Sequence, residues 1–232
     1  MGFAQCRPIL RQLLCCSREH HDARGPLLGA SLASVADATQ LLASFSSTTL
    51  VAVIESERLI IRLPEAADVS EVIRYYRDNR AYLQPYSPTF PSEFLDERTW
   101  LDQVKIRAQE MAAGDGLRAF IFVKVAPRTV VGNINLTQVQ RGSSLSCVLG
   151  YNLGESEQGK GYMTEAVRAV VDFAFRTWGL HRVAASHMPN NVRSAEVLRR
   201  CGFEREGYAR HYLKINGRWE DHILTAIRNP SP

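Results

Sequence analysis

A glycine-containing turn is the part of this sequence whose residues are best suited to bind a ligand. It connects an apolar run at residues 147–153 with a helical pattern over residues 164–178. Its residues are Gln158, Gly159, Lys160, Gly161, Tyr162 and Met163. A turn that leads from a strand into a helix presents backbone N–H groups at the positive end of the helix dipole. Such a nest binds phosphate without a cationic side chain, so the sequence predicts a site for a phosphorylated cofactor.

Three interpretations of this turn compete. Residues 154–160 have the spacing of a nucleotide P-loop, but Gly161 stands where that loop needs the Ser or Thr that ligates Mg²⁺. The spacer also carries Glu155 and Glu157, whose charges would repel a triphosphate. A dinucleotide-binding fold would need a third glycine, and Thr164 stands there. The third interpretation depends on the flanking sequence, which also has to decide against a plain strand–helix turn without a ligand.

A second motif lies downstream, at residues 188–203. Asn191 and Ser194 have the spacing Asn-x-x-Ser and begin a predicted helix that ends in Gly-Phe. The upstream turn fits the pattern Gln/Arg-x-x-Gly-x-Gly/Ala except at its last position, where Met163 departs from it. The two motifs together, in this order and spacing, resemble the signatures of the GNAT acetyltransferases.

The resemblance extends over residues 57–229. Within this family the chain is similar to the RimJ branch, the ribosomal-protein-alanine N-acetyltransferases. It is carried by the stretches at residues 82–88, 131–135, 149–151, 181–185, 206–210 and 216–222. It implies the GNAT fold, acetyl-CoA as cosubstrate without a metal, and an acceptor that is the N-terminal alanine of a small-subunit ribosomal protein.

The resemblance also implies how the cofactor is held. Residues 158–163 would bind the pyrophosphate, and the strand end formed by Tyr151, Asn152 and Leu153 would pair with the pantetheine amides where the sheet splays open. Asn191 begins the helix that runs beside the pantetheine arm in this family. A backbone N–H near residues 149–151 would stabilise the oxyanion.

The catalytic residues are less well defined by the sequence. Ser194 is the candidate, by resemblance, for assisting the leaving thiolate. Asn191 either orders a water molecule or only caps its helix. Glu206 is the first candidate for the general base and His187 the second, with a surface charge and a core histidine as the plain alternatives. Cys147 lies in an apolar run and is expected to be a buried strand residue.

Composition limits the functional classes. The chain has 232 residues, 45% of them hydrophobic, and a net charge of +4 without a Lys/Arg block. We therefore expect a sizeable core, an anionic cofactor and no direct binding of nucleic acid. Five unevenly spaced cysteines argue against a disulfide framework and for a reducing compartment, so a cytoplasmic location is expected. No transmembrane segment, membrane partner or metal site is predicted, and the protein is expected to be a monomer or a weak dimer.

Residues 1–54 differ from the rest of the chain. They are rich in Arg, Ser and Ala, poor in acids and without clear periodicity. This composition is typical of a transit peptide, which would place the protein in an organelle, and equally of a non-native extension or a partly ordered tail. We expect an N-terminal extension at residues 1–54, poorly ordered or targeting-like, followed by one acetyltransferase domain at residues 55–232.

Periodicity and turn signals predict the element order β-α-α-β-β-β-α-β-α-β-β, an α+β fold with a mixed central sheet flanked by helices. Asp68 is the expected N-cap of the first helix, and Pro127 and Arg128 are the expected turn after the second strand. Asn216 and Gly217 predict a type I′ hairpin near the end of the chain.

Two other functions stay open on the sequence alone. The same fold could acetylate a polyamine, an aminoglycoside or another small amine, although no acidic cluster that would bind such a substrate stands out. A non-catalytic acyl-CoA-binding or ribosome-associated module would keep Gly159 and Gly161 and need no catalytic groups.

Overall fold

A mixed sheet of eight strands forms the centre of the described part of the chain. The structure, a computed structural model, describes residues 53–231. The strands are β1 (Ile54–Glu55), β2 (Leu59–Arg62), β3 (Leu117–Val123), β4 (Ala126–Gln140), β5 (Ser146–Leu153), β6 (Arg182–His187), β7 (Glu204–Ile215) and β8 (Arg218–Arg228). Their order is β1-β2-β3-β4-β5-β6-β8-β7, and β5 and β6 are the parallel pair in it. The predicted α+β fold with a mixed sheet is confirmed.

Helices cover both faces of the sheet. They are α1 (Val69–Asp78), α2 (Arg80–Leu83), α3 (Glu97–Ala113), α4 (Tyr162–Arg176) and α5 (Val192–Arg200). Side chains of a strand alternate between the faces, so Ile121 of β3 packs with α4 while Phe120 and Phe122 pack with α1 and α3. Burying each of these large side chains stabilises the fold by about 1.5–3 kcal/mol.

Helix α4 has the buried stripe that its sequence predicts. Ala166, Val167, Val170 and Ala174 share one face of the helix and are fully buried against the sheet. The helix begins two residues earlier than predicted, at Tyr162, because Gly161 at φ +81° directly precedes it. This start brings the helix N-terminus to the end of the glycine turn.

Several local predictions were wrong in detail. The turn between β3 and β4 lies at residues 124–125, and Pro127 belongs to β4, where a bulge leaves it outside the ladder with β3. Asp68 precedes α1 but does not cap it, because its carboxylate accepts hydrogen bonds from Arg62 and from the N–H of Glu65. The fold also begins before Arg58, since β1 pairs with β2.

The closing hairpin agrees with its sequence signal. Asn216 and Gly217 have φ angles of +44° and +83°, as a type I′ turn requires. Strand β7 is much longer than predicted, because it begins at Glu204 and not at Tyr212, whereas β8 extends only one residue beyond the predicted end at Ile227. The predictions about the N-terminal extension fall almost wholly on residues 1–52, which lie outside the described residues.

Candidate active site

A groove opens where β5 and β6 separate. The two strands pair from Ser146 with Arg182 to Leu149 with Ala185. No pair is formed beyond that point in the described structure, although β5 continues to Leu153 alongside β4. The groove has a volume of about 280 Å³. The predicted site residues that line it are Tyr151, Asn152, Leu153, Gln158, Met163, Asn191 and Ser194, joined by Tyr82 and Tyr86.

The glycine turn borders this groove only at its two ends, Gln158 and Met163, while residues 159–162 lie outside the groove lining. Gly159 and Gly161 have φ angles of +76° and +81°, in the left-handed region that favours glycine. A Cβ on Gly159 would meet no atom within 4 Å, so there is space for a ligand at this position. No side chain accepts a hydrogen bond from the first turn of α4 as an N-cap in the described structure. The N–H groups here therefore have the arrangement of an anion-binding nest.

The side chains of the turn bond within the loop itself. Gln158 Nε2 donates to the carbonyl of Leu153 at 3.1 Å, and Lys160 Nζ lies 2.9 Å from a carboxylate oxygen of Glu157. Met163, the residue that departs from the family pattern, is only 5% exposed and packs in the core. The backbone, more than these side chains, is thus what the turn offers to an anion.

The first turn of α5 lies on one side of β5. Asn191 Oδ1 accepts a hydrogen bond from Ser194 N–H at 3.1 Å, so the side chain has the role of a helix cap. The hydroxyl oxygens of Ser194 and Tyr151 are 2.9 Å apart, and Tyr151 also donates to the Ser194 carbonyl at 3.2 Å. Burial raises the pKa of Tyr151 above its ordinary value, so the phenol stays protonated.

Helix α1 holds the opposite side of β5. Tyr75 donates its hydroxyl proton to Asn152 Oδ1 at 2.7 Å. Across the β4–β5 ladder, Asn133 stands beside Asn152 and donates to the hydroxyl of Tyr76. Neither tyrosine was predicted as a site residue, because in the sequence both only continue the apolar stripe of α1 and nothing in that stripe indicates a polar partner.

Glu206, the first candidate for the general base, is not brought to the groove. It lies on β7 and forms an ion pair with Arg182 of β6. The hydrogen bond from Arg182 holds the pKa of Glu206 below its ordinary value, which weakens it as a base. Glu206 therefore has the surface role that was the plain alternative.

The other titratable candidates are also structural. His187 is buried at the end of β6, outside the groove lining, with Nδ1 3.0 Å from the Met188 carbonyl oxygen. Cys147 is buried, and this burial raises the pKa of its thiol to about 12, as expected for an unreactive strand residue.

Two kinds of feature are absent from residues 53–231. No helix there is long and apolar enough to cross a membrane. No group of three or more His, Cys, Asp or Glu side chains there is arranged to hold a metal ion.

Comparison with known proteins gives the family. The model of the acetyltransferase (GNAT) domain matches residues 58–204. The chain belongs to the GNAT acetyltransferase family. It is 38% identical over 177 residues to the [ribosomal protein uS5]-alanine N-acetyltransferase of Escherichia coli. The matched region covers 75% of this chain and 90% of that protein. The resemblance inferred from the two motifs is thereby confirmed.

Two solved structures of GNAT proteins superpose on the chain. The ribosomal-protein-S5-alanine acetyltransferase of Vibrio fischeri has a TM-score of 0.73 and 31% identity, and the match covers 78% of this chain and 98% of that one. Mycobacterium smegmatis RimJ, solved in complex with CoA-disulfide, has a TM-score of 0.69 and 27% identity, covering 73% and 81%.

Proposed function

We propose that this GNAT protein transfers the acetyl group of acetyl-CoA to the N-terminal α-amine of a protein that begins with alanine or serine, a ribosomal protein being the favoured acceptor. The observation that carries the proposal is the groove along the free edge of β5, beyond its pairing with β6, which reaches both ends of the glycine turn at Gln158 and Met163. The similarity to alanine N-acetyltransferases of ribosomal proteins supports the choice of acceptor.

The groove accounts for the cofactor in two parts. Amides of residues 159–163 would bind the pyrophosphate at the start of α4. The free edge of β5 at Tyr151, Asn152 and Leu153 would pair with the pantetheine amides as an added strand. The acetyl thioester then lies near the last β5–β6 pair, Leu149 with Ala185.

The reaction proposed here needs few side chains. The neutral amine attacks the thioester carbon, and a backbone N–H near residues 149–151 stabilises the oxyanion. The C–S bond then breaks, and Ser194 donates a hydrogen bond to the sulfur as it leaves as a thiolate. An α-amine has a pKa of about 7.7–8.0, so water can remove its proton and no strong base is required.

Aromatic side chains favour a peptide as the acceptor. Tyr82 and Tyr86 line the groove, and Tyr212 and Trp219 are exposed on the β7–β8 hairpin. The N–H of Asn216, in the turn of this hairpin, donates a hydrogen bond to the backbone carbonyl of the residue after Tyr86, at 2.9 Å. Aromatic walls suit an extended backbone more than a compact polar metabolite.

The test compares three acceptors by intact mass after incubation with acetyl-CoA. They are a peptide that starts with alanine, its N-blocked twin that contains a lysine, and spermidine. We expect acetylation of the first at a rate at least about tenfold above the others, the difference made by one well-placed polar contact. Faster or equal turnover of spermidine would support the small-amine alternative, and no turnover of any amine would support a binding module.

A further inference from the structure

The glycine turn is held at its C-terminal end by a side chain from a distant part of the chain. Arg58, in the segment between β1 and β2, donates from Nη1 to the Lys160 carbonyl at 3.0 Å. Its guanidinium also binds the Glu165 carboxylate in the first turn of α4, with Nε and Nη2 each 2.7 Å from Oε2. The same group lies over the ring of Tyr162, 4.8 Å from its centre. Arg58 thus contacts the backbone directly before Gly161 and side chains directly after it.

A second distant side chain binds the segment just before the glycine turn, at residues 154–155. Asn79, which follows α1, accepts a hydrogen bond from the N–H of Glu155 at 2.9 Å. Its Nδ2 donates to the Tyr75 carbonyl, also at 2.9 Å, so the amide is oriented from both ends. A Cβ on Gly154 would lie 3.2 Å from Asn79 Oδ1, which shows how closely the loop approaches this amide.

Support from outside the turn matters because its glycines can adopt many backbone conformations. Glycine loses more conformational freedom on ordering than any other residue, and Gly159 and Gly161 are separated by one residue. A loop that is already ordered binds its ligand without that cost. Arg58 Nη2 lies 3.4 Å from where a Cβ of Gly161 would stand, which shows how closely its guanidinium approaches the turn.

We propose that Arg58 and Asn79 are positioning residues that hold the glycine turn in its phosphate-binding shape, so that the advantage of acetyl-CoA over S-acetylpantetheine depends on them. The proposal rests on the proposed function, because it takes the turn as the pyrophosphate site. Neither residue lines the groove at the reacting atoms. Their influence on catalysis therefore passes through the backbone of the turn.

The experiment measures kcat and KM of the full chain with acetyl-CoA and with S-acetylpantetheine, which lacks the pyrophosphate. For Arg58→Ala and Asn79→Ala we expect KM for acetyl-CoA to rise about tenfold, the effect of one lost hydrogen bond, with kcat unchanged. Values for S-acetylpantetheine should stay within about twofold, because that substrate does not use the turn.

Matched variants separate positioning from folding. Arg176→Ala removes an exposed arginine of the last turn of α4, which pairs with Asp172, and should change neither substrate's parameters. Arg58→Lys keeps the charge without the planar fork, and Asn79→Asp keeps the acceptor for Glu155 N–H; both should lie between parent and alanine variants. Equal losses with both substrates, or no loss with either, would overturn the proposal.

A failure of the proposed function would look different. If the parent acetylates no amine, calorimetry with CoA and with pantetheine still decides the role of the two residues. Weaker binding of CoA by about tenfold in the alanine variants, with pantetheine unaffected, would support positioning of the turn. Unchanged CoA affinity would overturn it.

Discussion

The first turns of α4 and α5 both face the groove, but the N–H groups of these turns differ in whether a side chain caps them. At α4 the N-cap position is Gly161, and no side chain in the described structure caps the helix. At α5 the cap is Asn191, whose Oδ1 accepts a hydrogen bond from Ser194 N–H. Both helix ends are positive, yet only the first leaves its donors to a ligand. The helix dipole alone therefore does not explain where an anion binds.

The difference also divides the chemistry between the two helices. Helix α4 offers backbone donors on a glycine turn, which suits a large anion that approaches the backbone closely. Helix α5 binds its Ser194 N–H through the Asn191 cap and brings the Ser194 hydroxyl to the groove beside Tyr151. Under the proposed function α4 binds the cofactor and α5 acts on the sulfur, so substitutions at the two sites should affect different kinetic constants.

The largest effect should come from Ser194 on the α5 side. Ser194→Ala removes the donor to the leaving thiolate, so kcat should fall about 100-fold, in the range of side-chain proton donors. Acetyl-CoA affinity, measured by calorimetry, should change much less, because the hydroxyl acts in the transition state. Ser144→Ala, at an exposed serine outside the groove, is the control. A parental kcat in Ser194→Ala would leave this serine as a helix-start residue only.

The α4 side should respond in binding instead. Gly161→Val places a β-branched residue at φ +81° and crowds the nest, so CoA affinity should fall about 10- to 100-fold. Gly142→Val carries the same backbone strain, at φ +76°, in the β4–β5 connection away from the groove. It should lower thermal stability without a specific loss of CoA binding. Equal CoA affinity in Gly161→Val and the parent would remove the nest as the cofactor site.

A smaller effect tests the internal cap of α5. Asn191→Ala should lower the free energy of unfolding by about 1 kcal/mol, as loss of an N-cap does, whereas Asn191→Asp should nearly retain it. Urea titration measures both. If Asn191→Ala unfolds like the parent while kcat falls, the asparagine would have the water-ordering role that the sequence left open.

The two helix starts also show what a sequence can reveal. The glycines at residues 159 and 161 and the pair Asn191 and Ser194 are visible because turn and cap chemistry require particular residue types at short spacing. The helices, the hairpin at Asn216 and the mixed sheet were predicted for the same reason, since each depends on local periodicity or turn residues.

Long-range contacts could not be predicted in this way. Arg58 meets Glu165 and Lys160 across more than 100 residues, and Tyr75 meets Asn152 across 77. Nothing in the local sequence distinguishes these side chains from ordinary surface or core residues. The ion pair of Glu206 was not predictable for the same reason, because its partner Arg182 comes close only in the folded sheet.

The smallest predicted effect concerns pH and the pair that supports the nest. Burial opposes the ionisation of Glu165, but hydrogen bonds from the Arg58 N–H, the Ser56 hydroxyl and the Arg58 guanidinium bring its pKa below the ordinary 4.5. A carboxyl group with a lowered pKa in the folded state stabilises the fold above its unfolded pKa, and this contribution disappears as pH falls through the folded value.

Stability and CoA affinity should therefore both decline as the pH is lowered below 4.5, by less than about 1 kcal/mol for this partly exposed pair. Other carboxylates titrate in the same range, so the informative quantity is the difference between the parent and Glu165→Gln across a pH series. The variant has no charge to lose at this position, so its urea midpoint should fall less steeply than that of the parent as the pH is lowered. Parallel curves would mean that the Arg58–Glu165 pair adds nothing to the support of the turn, and that the backbone at the start of α4 keeps its shape without it.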